Sequence, residues 1–86
     1  MFIQTEDTPN PNTLKFIPGV QVLEEGTYEF KDKDSSKTSN LANLIFLING
    51  IDRVFLATDF ISVTKNNEYS WEILKPLILT AIMDHY

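Results

Sequence analysis

A two-layer α+β domain, in which a four- to five-stranded antiparallel or mixed sheet carries two helices on one face, is the fold this sequence predicts. Three observations lead there. Apolar and polar residues alternate in short runs such as Thr13-Leu14-Lys15-Phe16-Ile17, the period-2 pattern of a half-buried strand. Residues 40–49 and 70–86 instead space their apolar side chains at helical intervals. The chain has 86 residues, 43% of them hydrophobic, which is enough for one core and too little for two. Residues 1–86 are therefore read as a single domain.

In chain order, Phe2 to Thr5 is a first strand, with Phe2 and Gln4 on one side and Ile3 and Thr5 on the other. Thr8-Pro9-Asn10-Pro11-Asn12 follows. Each proline fixes its own φ and pushes the preceding Thr8 or Asn10 out of the helical region, so these residues form a stiff extended turn. The strand Thr13–Ile17 comes next and Pro18-Gly19 stops it. Val20 to Glu25 reads as irregular extended chain. Gly26 restarts a strand from Thr27 to Lys31, with Tyr28 and Phe30 toward the core and Glu29 toward water. Asp32 to Thr38 is polar throughout and reads as an exposed, mobile loop.

Asn40 to Asn49 is the first helix, capped by Ser39 or Asn40, with Leu41, Leu44, Ile45 and Ile48 on one face and Asn49-Gly50 as a left-handed stop. Arg53–Ala57 and Phe60–Thr64 are two strands joined by Thr58-Asp59, a spacing that suits a tight hairpin. Ser70 caps the last helix, which carries Glu72 in its first turn and Leu74, Ile78, Ala81, Ile82 and His85 on one face. Pro76 lies inside that pattern, where it should kink the helix or delay its regular part to about residue 75. The order is β-β-β-α-β-β-α.

Composition narrows the function. Twelve acidic residues against seven basic ones leave a net charge of −5. The basic residues are scattered, which argues against binding nucleic acid or an anionic membrane. No cysteine is present, so this chain can hold neither a disulfide nor a thiolate-ligated metal or cluster, and has no cysteine nucleophile. No apolar run reaches the ~20 residues of a membrane-spanning helix, and Met1 to Asp7 lacks the character of a signal or transit peptide. The expected location is a bacterial cytoplasm, or the mitochondrial matrix if the source is eukaryotic.

The residues that suggest chemistry read more simply as structure. Ser62-Val63-Thr64-Lys65 has the S-x-x-K spacing of a serine nucleophile with a lysine base, but that pair converges on a helical turn, whereas residues three apart on a strand face opposite ways. Asp32-Lys33-Asp34 opens like a calcium loop yet lacks the glycine and terminal glutamate that such a loop needs. His85 is the only histidine and suits a helix C-terminus. The pairs Glu6-Asp7 and Glu24-Glu25 are surface charge. Trp71 is read as packing the last helix onto the sheet, with partner binding as its other role. No catalytic, cofactor or metal residue is assigned.

Several blocks together resemble a known family: Met1-Phe2-Ile3-Gln4-Thr5, Thr8-Pro9-Asn10-Pro11-Asn12, Leu14-Lys15-Phe16-Ile17-Pro18-Gly19, Asp59-Phe60-Ile61-Ser62-Val63-Thr64-Lys65, and Trp71 through Ile82-Met83-Asp84. They are similar to the N-terminal domain of Nfu-type (NifU-like) iron–sulfur cluster scaffold proteins. The resemblance implies that the cluster is carried by a C-x-x-C pair in a separate C-terminal domain, and that this chain is a fragment of a longer protein. It further implies a non-enzymatic accessory domain, which positions the cluster-carrying domain or docks recipient apoproteins and other assembly factors. On that reading Asn10, Asn12, Lys15, Asp59 and Phe60 are the candidate docking residues. The rival expectations are a complete stand-alone adaptor unrelated to cluster transfer, and a small hydrolase resting only on Ser62 and Lys65.

Overall fold

Five strands form one sheet in the computed structural model, which describes all residues from Met1 to Tyr86. They are β1 (Gln4–Asp7), β2 (Thr13–Ile17), β3 (Tyr28–Phe30), β4 (Ile51–Leu56) and β5 (Ile61–Lys65), and the helices are α1 (Asn40–Phe46) and α2 (Trp71–His85). The spatial order is β1-β2-β5-β4-β3, and every neighbouring pair is antiparallel. The sheet is thus antiparallel throughout rather than mixed. Residues 18–27 carry the chain from one half of the sheet to the other and pass the β4–β5 turn, where the Val22 N–H donates to the Thr58 carbonyl at 2.8 Å.

Strand alternation decides which side is covered. Leu14 and Phe16 of β2, Ile61 and Val63 of β5, Val54 and Leu56 of β4 and Phe30 of β3 are all buried. They form one cluster with Leu41, Ala42, Ile45 and Phe46 of α1 and Leu74, Ile78, Ala81 and Ile82 of α2. Both helices therefore lie on the same face. The opposite face, with Lys15, Phe55, Ser62 and Thr64, stays partly open to water, as one side of an antiparallel sheet commonly does.

Several elements depart from the sequence reading. β1 begins at Gln4 rather than Phe2, because its bonds are set by the β2 register, in which Gln4 pairs with Ile17 and Asp7 with Leu14. β4 starts at Ile51 and accommodates a bulge between Ile51 and Arg53. Tyr28 shares the inward side of β3 with Phe30 but is 61% exposed: it opens β3, an edge strand, and its ring stacks on Phe30 at 6.3 Å. The supposedly exposed stretch Asp32–Thr38 contains a 3-10 turn, Ser35–Thr38, whose Ser36 is fully buried and donates its hydroxyl to the Lys33 carbonyl at 2.6 Å.

Helix ends follow their caps. Ser39 accepts from the Ala42 N–H and Ser70 from the Glu72 N–H, which satisfies donors that the first turn would leave free. α1 stops at Phe46, three residues before Asn49, and its chain tightens through an Ile48 N–H to Ile45 carbonyl bond of 3.0 Å. α2 continues as one helix through Pro76, with its regular part beginning at Trp71 rather than near residue 75. That proline faces water, so the Glu72 carbonyl it leaves unbonded can be hydrated. Neither Thr58 nor Asp59 takes a positive φ, and Ala57 N–H donates to the Phe60 carbonyl to close their hairpin.

Gly50 has φ +99°, and a Cβ there would lie 2.6 Å from Cγ of Tyr69. The glycine thus serves both the backbone turn and the seat of an aromatic ring.

Two stability measurements test this packing. In urea unfolding, Phe16→Ala should cost about 3–5 kcal/mol, most of a total stability of about 5 kcal/mol, whereas Tyr28→Ala should cost about 1 kcal/mol or less. Gly50→Ala should destabilise by about 1–3 kcal/mol through its backbone alone, and Tyr69→Ala in the same chain should recover the part due to the ring.

Candidate functional site

The loop between β1 and β2 is bonded within itself before it meets anything else. Thr8 Oγ1 lies 2.9 Å from the carbonyls of both Asn10 and Thr13 and accepts from the Asn10 N–H at 3.2 Å. Asn10 Oδ1 accepts the Asn12 N–H at 2.9 Å, the side-chain turn that asparagine makes readily. The Asn10 carbonyl accepts the Thr13 N–H at 3.0 Å. With Pro9 and Pro11 fixing φ on either side of Asn10, the loop has few conformations left to lose.

Two other elements then hold it. From β5, the Lys65 N–H donates to the Asn12 carbonyl at 2.8 Å and Lys65 Nζ to Asn12 Oδ1 at 3.1 Å. From the first residue of α2, Trp71 Nε1 donates to the Pro11 carbonyl at 2.9 Å. Lys65 Nζ lies 5.8 Å from the centroid of the Trp71 ring. Between the loop and Trp71 is a shallow cavity of about 310 Å³, bordered also by Asp7, Thr13 and Leu14.

Lys15 and Phe60 form a second patch, on the open face of the sheet. Lys15 Nζ sits 4.1 Å above the Phe60 ring and 3.8 Å from Glu6 Oε1, and Phe60 stacks on Phe55 at 6.1 Å. Asp59 is exposed in the adjoining turn. The register pairs Thr13 with Thr64 and Phe16 with Ile61, so the loop and the Asp59-Phe60 turn stand at opposite ends of β2 and β5, about 13 Å apart along the strands. The candidate docking residues accordingly divide into Asn10 with Asn12, and Lys15 with Asp59 and Phe60.

Other candidate groups have structural partners. Ser62 is on the open face and Lys65 on the helix face, so they cannot act as a nucleophile and its base. Asp32 Oδ1 accepts the Ser35 N–H at 2.7 Å and Asp34 pairs with Lys37 at 3.8 Å. His85 Nδ1 is 2.9 Å from Asn40 Nδ2, joining the end of α2 to the start of α1. No three histidine or carboxylate side chains converge as a metal site would require. An apolar groove of about 520 Å³ lies at the opposite side of the domain, where Val22, Leu23, Tyr28, Phe30 and Leu41 meet His85.

Thr8 and Lys65 hold the loop in roles that the residues alone did not assign, Thr8 having been read only as part of the stiff turn and Lys65 only as a candidate base for Ser62. For Lys65 a signal was present: strand alternation puts it in line with Ile61 and Val63, an inward place for a charged residue.

The family model and the curated relatives agree on one family. The family model described as "Scaffold protein Nfu/NifU N terminal" matches residues 3–86. Over its full length the chain is 53% identical to an iron–sulfur cluster scaffold homolog of Homo sapiens, named NFU1 and mitochondrial, and 50% identical to the mitochondrial NifU-like protein 4 of Arabidopsis thaliana. It covers 34% and 30% of those two proteins, so the chain spans about a third of the length of the curated relatives it matches. Among solved structures, a crystal structure of a Staphylococcus aureus protein superposes with TM-score 0.82 at 29% identity, covering 95% of this chain and 99% of that one. The solution structure of a NifU-like protein from Saccharomyces cerevisiae also gives 0.82, at 28% identity, covering 96% of this chain and 76% of that one.

Trp71→Phe keeps the apolar packing and removes the donor to Pro11. It should lower stability by about 0.5–1.5 kcal/mol, with faster amide exchange at Asn12 and Thr13 and little change in the central strands.

Proposed function

The chain belongs to the family of Nfu/NifU scaffold N-terminal domains, and from that premise we propose that it is the accessory, partner-docking domain of an iron–sulfur cluster assembly scaffold. One observation carries the proposal: a polar loop, Thr8–Asn12, is ordered by its own side chains and anchored by Lys65 and Trp71. A surface ordered in advance loses less entropy when a partner binds it. The absence of cysteine supports the division of labour, because thiolates are what hold such clusters. In this reading the cluster sits on a separate domain, and the present residues supply position and recognition rather than catalysis.

Asn10 and Asn12 are the proposed centre of the docking surface, with Lys15, Asp59 and Phe60 as a second patch. The partners in view are the cluster-carrying domain, recipient apoproteins and other assembly factors. The bacterial cytoplasm and the mitochondrial matrix are the proposed settings. The names of the human and plant relatives include the word mitochondrial, which supports the second for a eukaryotic source.

Adding an isolated cluster-carrying domain, and separately a recipient apoprotein, to the labelled 86-residue chain tests the reading by NMR. Amide shifts concentrated at residues 8–15 are expected, and Asn12→Ala should weaken binding by about fivefold or more. Shifts elsewhere, or none with either partner, would remove the loop from any docking role. Iron and sulfide reconstitution on this chain alone should leave no sulfur-to-iron charge-transfer absorption; a stable cluster would contradict the accessory assignment.

A further inference from the structure

Lys65 is the only one of the seven basic residues that is buried, at 8% exposure. The two ion pairs of the molecule, Lys15 with Glu6 and Lys37 with Asp34, involve other lysines. A cation withdrawn from water without a carboxylate is costly unless dipoles replace its hydration. Two groups face the ammonium: Asn12 Oδ1 at 3.1 Å accepts a charge-assisted hydrogen bond, and the Trp71 ring lies 5.8 Å away with its electron-rich face toward it. An apolar side chain of similar length would fill the same space without that cost. What the ammonium adds is direction.

We propose that Lys65 is the positioning residue of the Thr8–Asn12 loop. Its ammonium fixes the Asn12 side chain directly. By holding the Trp71 indole from the same point, it also sets the angle at which Nε1 meets the Pro11 carbonyl, 2.9 Å away. The Pro11 carbonyl and Asn12 Oδ1 are thus held by two groups that meet at one cation, beside the Lys65 N–H on the Asn12 carbonyl and the Asn67 Oδ1 that accepts from Asn12 Nδ2 at 3.5 Å, and Pro9 and Asn10 are presented outward in a single shape. The function of that shape rests on the docking reading; the positioning does not.

Trp71 is the only tryptophan, so its fluorescence and indole N–H resonance report this site alone. Lys65→Met keeps the buried stem and removes the charge and its donors. Its far-UV circular dichroism should match the parent, while the indole N–H exchanges at least about fivefold faster and the Pro11–Thr13 signals move. Lys65→Arg, which keeps a cation and donors, should recover most of the protection. Asn12→Ala should loosen the indole N–H similarly without touching the buried stem, and decides the matter if the methionine variant does not fold. Parent-like indole protection in Lys65→Met or in Asn12→Ala overturns the proposal. So does Lys65→Arg behaving like Lys65→Met, since the stem and not the cation would then set the indole. A loosened loop that still binds the cluster-carrying domain at parent strength removes the docking reading and leaves the positioning role standing.

Discussion

Strand β5 is hydrogen-bonded along both edges, to β2 and to β4, and the rest of the molecule depends on its alternation. Ile61 and Val63, both fully buried, form the middle of the layer on which α1 and α2 rest. Ser62 and Thr64 face the open side, where the Thr64 hydroxyl is 2.8 Å from that of Thr13. Sliding β5 by one residue would expose the inward set and bury the outward one. Its register therefore fixes which face takes the helices.

The same alternation places Lys65 at the inward end of the strand, beside the start of α2 and below the β1–β2 loop. Core and presented surface are consequently not separate devices. The loop is attached to the strand that organises the core through Asn12, and to the helix that covers the core through Pro11 and Trp71. Two prolines make the loop stiff by limiting the unfolded chain as well as the folded one, and the anchors then orient it relative to the sheet. A polar surface is thereby attached directly to a small core.

Much of this was legible in the residues themselves. β2 has the bounds that its alternation and Pro18-Gly19 predict, and Leu74, Ile78, Ala81 and Ile82 are the buried face of α2 as their spacing requires. Both signals are local: a strand or helix that must bury one side repeats with its own period. The failures were local rules applied where distant partners decide. Tyr28 alternates inward, yet it opens an edge strand and stays largely exposed. Ser36 lies in a wholly polar stretch, yet the turn folds its hydroxyl inside. Where the loop stands relative to the Asp59-Phe60 turn was likewise not legible: antiparallel pairing of β2 with β5 sends Asn10 and Phe60 to opposite ends of those strands.

By itself the sequence determined the α+β class, the element order, the inward residues of β2 and of α2, the stiffness of residues 8–12 and the exclusion of thiolate chemistry, because each depends on residue type or on periodicity within one element. Only the tertiary structure decided the strand order and the meeting of Asn12, Lys65 and Trp71. Residues 53 and 60 positions apart become neighbours only when β5 has found its register and α2 has packed. No pattern within any one segment encodes that closure.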